Sequence, residues 1–152
     1  MPDWKYRWSE IPDTPEENKL WREMTLDYSS REHPDAVILR ENILERCRKD
    51  FWFWAIGFAS VHEPRILDDD AEGINLDTKV PFIPWEHQRP VVDAILRVLG
   101  KRDLRIVKSR AQGASWILVL VFTWCWLFLR GFKGNLVSKD EQAVDRRNDM
   151  DS

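Results

Sequence analysis

Apolar residues in the first part of the chain recur at intervals of three and four, the spacing of an amphipathic helix. Thr14 is a typical N-cap residue, Pro15 fits the first helical position, and Glu17 stands where a capping box requires it. The face predicted to be buried consists of Leu20, Trp21, Met24 and Tyr28. The pattern therefore predicts a helix from Thr14 that ends where residues 29–34 interrupt it.

Two further helices are predicted directly after the first. One begins near Asp35, and its apolar positions at helical spacing are Ala36, Leu39, Ile43 and Cys47. Asp50 is placed to cap the next helix, residues 51–58, in which almost every side chain is apolar. A helix of that composition has no face suited to water, so we expect it to be buried.

From Val80 the pattern changes to an alternation of strands and helices. Residues 80–85 are extended and interrupted by prolines, and residues 86–99 form an amphipathic helix that Gly100 ends. The buried side of that helix is predicted to be Val91, Val92, Ile95, Val98 and Leu99. A strand at 104–107, an apolar helix at 114–130, a strand at 135–138 and a helix at 140–148 follow. Strand, helix and strand in this order indicate a parallel α/β sheet, of which only two or three strands are present.

The segment Trp116–Leu129 is apolar around its whole circumference. As a helix it is about 21 Å long, whereas a bilayer requires about 20 apolar residues, or some 30 Å. We therefore interpret it as a buried core helix, with membrane association as the weaker alternative. No signal peptide opens the chain, since Met1 is followed by charged and polar residues.

The charge distribution argues against a dedicated DNA-binding module, and the cysteine content gives no sign of a disulfide framework. Residues 1–79 carry 11 basic and 18 acidic side chains, whereas residues 80–152 carry 12 basic and 8 acidic ones. A polyanion would therefore meet the second half first, although a dedicated DNA-binding module is usually far more basic. Cys47 and Cys125 have no metal-ligand spacing and are interpreted as reduced core residues.

The chain divides into four predicted segments. They are an extended arm at 1–13, a helical N-terminal segment at 14–66, an acidic loop at 67–79 and an α/β segment at 80–152. The acidic loop contains Asp68, Asp69 and Asp70, but its spacing misses the calcium-loop pattern, so we interpret it as a solvated boundary.

The candidate chemistry lies in the loop Lys108-Ser-Arg-Ala-Gln-Gly-Ala-Ser115, between the predicted strand and the apolar helix. A Walker A loop, GxxxxGK[ST], surrounds phosphates with backbone N–H groups, while its lysine neutralises charge and its hydroxyl joins the Mg²⁺ shell. Gly113 and Ser115 match the second glycine and the hydroxyl, but Lys108 replaces the first glycine and Ala114 the usual lysine. The positive charge is therefore displaced rather than missing. The alternative is a glycine-containing turn with incidental basic residues.

A second candidate lies upstream, in Phe82-Ile-Pro-Trp-Glu-His-Gln88. The Gln88 amide is able to bond both edges of adenine, and an aromatic ring such as Trp85 is able to stack on the base. Taken alone, a glutamine at the start of a helix is more often a surface residue.

In their order and spacing, these residues resemble the large subunit of tailed-phage terminases, the ATPase that packages DNA into procapsids. The resemblance covers about residues 45–152. It rests on residues 47–54, 63–65, 82–88, 108–116 and 137–145. It implies a helical N-terminal segment followed by the beginning of a P-loop NTPase parallel sheet, so that residues 80–152 are the first part of a truncated P-loop ATPase domain.

The resemblance also implies roles for single residues and two cofactors, ATP and Mg²⁺. Lys108 would contact the β- and γ-phosphates, Arg110 would sense or stabilise the γ-phosphate, and Ser115 would bind Mg²⁺. Gly113 would allow close backbone approach, and Gln88 would bind adenine with Trp85 or Phe82 nearby. The implied nucleotide-binding set is Lys108, Ser109, Arg110, Gln112, Gly113, Ala114, Ser115, Gln88 and Trp85.

Hydrolysis requires a Walker B carboxylate for Mg²⁺ and an acidic residue that orients water. Residues 116–152 contain no apolar run that ends in Asp-Glu, and we assign no catalytic residue. The sequence therefore predicts a fragment of a packaging motor that binds ATP but does not hydrolyse it alone. The coupling motif and the nuclease domain of the family are also missing.

The resemblance implies double-stranded DNA, the portal protein and the small terminase subunit as partners of the full motor, a homo-oligomeric ring, no membrane, and the host cytoplasm as location. The alternative function is a non-catalytic interaction fragment with a vestigial nucleotide loop. Such a fragment would bind the portal or the small terminase subunit through its aromatic-rich helices.

Overall fold

The computed structural model describes residues 9–62, 79–107, 113–135 and 137. Its elements are helices α1 Pro15–Ser29, α2 Pro34–Lys49 and α3 Phe51–Phe58, strands β1 Ser60–His62 and β2 Lys79–Pro81, and helices α4 Gln88–Val98 and α5 Ala114–Phe128. Several predicted features lie outside the described residues. These are residues 1–8 of the arm, nearly all of the acidic loop and the helix at 140–148.

Local capping interactions begin the first three helices where the sequence predicts. The Thr14 hydroxyl, just before α1, donates to the Glu17 carboxylate at 2.9 Å. His33 precedes α2, and its Nδ1 accepts from the Asp35 N–H at 3.2 Å. The Asp50 carboxylate accepts from the Phe53 N–H at 3.0 Å, which confirms it as the N-cap of α3. The bonds of His33 and Asp50 satisfy amides that the first turn of a helix leaves without partners, whereas the Thr14 bond joins two side chains.

Helix α3 forms the centre of the hydrophobic core, as its composition predicts. Helices α1, α2 and α5 and strand β2 all contact it. Its buried side chains include Phe51, Phe53, Trp54 and Ala55. The Phe51 ring meets Trp124 of α5 edge to face, with the ring centroids 6.0 Å apart. Trp124 also donates its indole N–H to the Cys47 carbonyl at 2.8 Å, which ties α5 to the end of α2.

Both cysteines are buried and free, which confirms that they are unpaired core residues. Burial, with a smaller contribution from Asp50, raises the pKa of the Cys47 thiol to about 12. Burial also raises the pKa of Cys125. Both groups therefore stay protonated at neutral pH, and thiols in that state are poor nucleophiles.

The face that α1 buries is only partly the predicted one: Trp21 meets Phe53 and Phe58 of α3 edge to face, as expected, but Leu20 does not face the core. Leu20 is 57% exposed, whereas Asn18 and Thr25 are fully buried. The Asn18 amide donates to the carbonyls of Pro12 and Ile56, both at 3.0 Å. Polar side chains occupy the inner face because it meets backbone carbonyl groups, which require donors that leucine does not provide.

The Ile56 carbonyl lies at the C-terminal end of α3, where Arg22 of α1 also binds. Its guanidinium donates to Ile56 O at 2.8 Å, to Ala59 O at 2.6 Å and to the Ser60 hydroxyl at 3.0 Å. A cation is favourable there because the last carbonyls of a helix carry partial negative charge. Desolvation lowers the pKa of Arg22 to about 10, so the group remains charged at neutral pH.

The strands form a two-stranded antiparallel sheet in which Ser60 pairs with Pro81 and Val61 with Val80. The described residues are thus a helix-rich α/β arrangement, as the general class predicts, but the predicted parallel sheet is not found among them. Leu104–Val107 does not form a strand, and Val107 is 85% exposed. The described residues Asn135 and Val137 are not in a strand either. An extended segment needs a hydrogen-bonded neighbour before it becomes a strand, and sequence pattern alone does not supply one.

Helix α4 agrees with its prediction. Val92, Ile95 and Val98 are buried, and Gly100 follows the helix with φ 69°. The Trp52 indole N–H donates to the Asp93 carboxylate at 3.0 Å and joins α4 to α3.

Helix α5 contradicts the prediction of a fully buried helix. Its inner face lies in the core, but Trp126 is 72% exposed and Trp116, Val119 and Leu127 are also exposed. Within the described part of the chain, no helix is long and apolar enough to cross a membrane.

We expect Arg22→Met to lower the free energy of unfolding by about 2 kcal/mol, because each of the two carbonyls at the end of α3 loses a charge-assisted hydrogen bond. Urea denaturation measures this change. Arg31→Met is the matched control: its ion pair with Asp27 is exposed, so it should cost less than about 1 kcal/mol. Equal stability of the two variants would contradict the assigned role of Arg22.

Candidate functional site

Part of the predicted nucleotide site lies within the described structure. Lys108, Ser109, Arg110 and Gln112 fall outside the described residues. Gly113 directly precedes Ala114 and Ser115, the first residues of α5, and Trp85 lies three residues before Gln88, the first residue of α4.

Gly113 is the N-cap of α5 and has φ 65°, a left-handed conformation that glycine adopts without strain. Its carbonyl accepts from the Ile117 N–H at 3.1 Å, which closes the first turn. Helix geometry leaves the preceding amides, including those of Ala114 and Ser115, without partners inside the helix. No described side chain caps this end. Such an end is suited to an anion, because its N–H groups and its dipole both favour negative charge.

Gln88, the first residue of α4, is only 6% exposed and is held by Trp85. Its Oε1 accepts from the Trp85 N–H at 3.0 Å, and its own N–H donates to the Trp85 carbonyl at 2.9 Å. These two bonds close the turn over residues 85–88 and fix the direction of the side chain. The interpretation of Gln88 as an ordinary surface residue is wrong.

The Gln88 amide lies against the Gly113 backbone. A Cβ atom placed on Gly113 would be only 2.8 Å from Gln88 Nε2. The structure thus brings together two residues that the sequence assigns to opposite ends of a nucleotide, one near the base and one near the phosphates. Both residues are recognisable in the sequence, but their contact is not, because it depends on how α4 packs beside α5.

Of the two aromatic residues considered for base stacking, only Trp85 is accessible. Its side chain is half exposed, and its ring lies 5.4 Å from that of His87, tilted by 44°. Phe82 is instead buried in the core, and its N–H donates to the Ala59 carbonyl at 3.1 Å. Trp85 is therefore the residue placed to meet a planar ligand.

Ser115 is exposed in the first turn of α5, where its hydroxyl is able to serve as one metal ligand. Within the described ranges, no group of three or more His, Cys, Asp or Glu residues is able to hold a metal ion. Mg²⁺ prefers six oxygen ligands and commonly keeps phosphate oxygens and water among them. The Ser115 hydroxyl is able to supply one of these oxygen ligands.

A second surface feature, a groove on the outer side of α5, was not predicted. It measures about 580 Å³, and its walls include Phe122, Trp126, Phe132 and Lys133. Phe122 and Phe132 meet edge to face, with centroids 5.6 Å apart. Because residues 116–129 are apolar on every side, the sequence indicates that the helix is packed against other elements. It does not indicate which face the core leaves exposed.

No protein-family model, curated protein or solved structure matches the chain. The functional interpretation therefore depends on the residues themselves and on their geometry. The strongest part of that geometry is the cluster of Trp85, Gln88 and Gly113 where α4 and α5 begin.

We expect Gly113→Ala to destabilise the protein more than Gly100→Ala, by about 1 kcal/mol. Both glycines have a positive φ, so alanine introduces similar backbone strain at each. Only at Gly113 does the new methyl group meet a neighbour, and it would displace the Gln88 amide from its bond with Trp85. Gly100 has no atom within 4 Å of the added Cβ. Urea denaturation of both variants gives the difference, and equal losses would contradict the packing described here.

Proposed function

We propose that this chain is the N-terminal part of a phage terminase large subunit, the ATP-driven motor that packages viral DNA into procapsids, and that it binds ATP. The observation that carries the proposal is the contact between Gln88 and Gly113. A buried amide from the candidate base motif lies beside the glycine that begins the candidate phosphate helix. The ordered motifs in the sequence, on which the resemblance rests, supply the second line of support.

In this proposal the phosphates lie at the start of α5, where amides without partners in the helix and the helix dipole favour an anion. Lys108 supplies the charge that Ala114 lacks, and Arg110 adds a second cation. Ser115 contributes its hydroxyl to Mg²⁺ that the nucleotide brings. Trp85 stacks on the base, and Gln88 binds adenine.

The proposal includes a parallel sheet that contains residues 104–107 and 135–138. Leu104, Ile106 and Val107 all expose apolar side chains beside the candidate loop. Exposed β-branched and apolar residues in succession are typical of strand residues that further strands would cover.

Nucleotide hydrolysis is not part of the proposed function of this chain alone. Residues 116–152 contain no apolar run that ends in Asp-Glu and would supply a Walker B carboxylate. Without it, Mg²⁺ and the attacking water lack the acidic groups that position them. The proposal therefore assigns binding to these residues and assigns turnover to the complete motor.

For the complete motor, the proposed partners are double-stranded DNA, the portal protein, the small terminase subunit and further copies arranged in a ring. The basic side chains of residues 80–152 are consistent with an approach to DNA from that half. The proposed location is the host cytoplasm, where procapsids would be filled.

One observation favours a second candidate function, a non-catalytic interaction fragment. The groove on α5 and the exposed Trp126 present an apolar surface of the kind that protein partners cover. In this alternative the portal or the small terminase subunit binds there and the nucleotide loop is vestigial. The contact surface proposed for this alternative is therefore on α5, rather than on the N-terminal helices that the sequence indicates.

Binding of a fluorescent ATP analogue tests the main proposal. We expect Lys108→Ala to weaken binding about tenfold to a hundredfold, because a charged contact to phosphate is worth about 1.5–3 kcal/mol. Lys101→Ala removes an exposed lysine outside the loop and is the matched control, which should bind like wild type. Fluorescence anisotropy at fixed ionic strength measures both variants.

Binding that Lys108→Ala leaves unchanged would overturn the assignment of the displaced lysine. A wild-type protein that binds no nucleotide but forms a stable complex with a portal or small terminase subunit would support the interaction fragment instead.

A further inference from the structure

The contact between Gln88 and Gly113 joins the beginnings of two helices. Gln88 is almost fully buried, and its Oε1 is anchored to the Trp85 N–H. Its Nε2 fills the space beside Gly113 in which any other residue would place a Cβ. The side chain therefore spans from the turn before α4 to the N-cap of α5.

Two independent constraints act on Gly113, and one of them comes from Gln88. The positive φ alone favours glycine there, as it does at Gly100 and Gly131. Those two glycines, however, have no atom within 4 Å of an added Cβ. Gly113 is thus the position where the left-handed conformation is also packed against a buried polar side chain.

Glycine is conformationally permissive, so its φ must be maintained by its surroundings. The direction of the first-turn amides of α5 follows from the Gly113 conformation, since Gly113 O accepts the bond that starts the helix. A side chain that restricts Gly113 consequently restricts the amides of Ala114 and Ser115 as well.

We propose that Gln88 is a positioning residue for the phosphate end of the nucleotide site, acting through Gly113 on the first turn of α5. This inference rests on the proposed nucleotide-binding function and adds a role to adenine recognition. Its consequence is that the base motif and the phosphate helix are mechanically linked before any ligand is present. Pre-organised donors bind an anion without reordering at the moment of binding.

A ligand without a base separates positioning from base recognition. If Gln88 only contacts adenine, its loss affects ATP and leaves inorganic tripolyphosphate unaffected. If Gln88 holds Gly113, its loss lowers the fraction of molecules with a competent helix start, and both ligands lose affinity by the same factor.

The experiment compares the full chain with its Gln88→Ala variant by isothermal titration with Mg²⁺-ATP and, separately, Mg²⁺-tripolyphosphate. We expect Gln88→Ala to weaken tripolyphosphate binding about tenfold and ATP binding by at least that factor. Asn42→Ala removes an exposed carboxamide from α2 and is the matched control, with both affinities unchanged. If Gln88→Ala does not fold, Gln88→Met keeps the length of the side chain and removes only the amide.

A readout without ligand separates this inference from the proposed function. Amide hydrogen exchange at Ile117, whose N–H bonds to Gly113 O, should become about tenfold or more faster in Gln88→Ala and stay unchanged in Asn42→Ala. Failure of wild type to bind either ligand would refute nucleotide binding, and the inference would fall with it even if exchange changes. Unchanged exchange, or a loss confined to ATP, would overturn the positioning role while leaving nucleotide binding intact.

Discussion

The structure depends on the enclosure of one short helix, α3, that carries no charged side chain. Its eight residues are aromatic, aliphatic or glycine, so every face must be covered. Helices α1, α2 and α5 and strand β2 provide that cover, and α4 joins it through the bond between Trp52 and Asp93. The placement of α4 and α5 around this core brings their N-terminal ends together. The candidate site therefore depends on the packing of α4 and α5 around α3.

The features that the sequence predicted correctly are those that neighbouring residues decide. Asp50 caps α3 through a bond to Phe53, three residues away, and Gly100 ends α4 through its own left-handed conformation. An uninterrupted apolar run identified α3 as a core helix, because a helix that is apolar on every face has no side suited to water. Such local signals needed no knowledge of the rest of the fold.

The features that were missed depend on partners distant in the chain. Asn18 is buried and Arg22 is half-buried because the end of α3 presents carbonyl groups to α1. Hydrophobic periodicity gives no signal for such hydrogen bonds. The predicted strand at Leu104–Val107 has no ladder partner in the described structure, although its composition suits one. Gln88 and Gly113 were each predicted as site residues, but their contact follows from the tertiary arrangement alone.

The polar inner face of α1 changes how this part of the chain tolerates substitution. Leu20 and Leu26 are exposed and bury little apolar surface. Asn18 and Arg22, by contrast, donate hydrogen bonds to backbone carbonyls at the end of α3. In a typical amphipathic helix the leucines vary least among related sequences. Here Asn18 and Arg22 should be retained together with Trp21, while Leu20 and Leu26 are free to drift. A profile built on hydrophobic periodicity alone would give Leu20 the weight that belongs to Asn18.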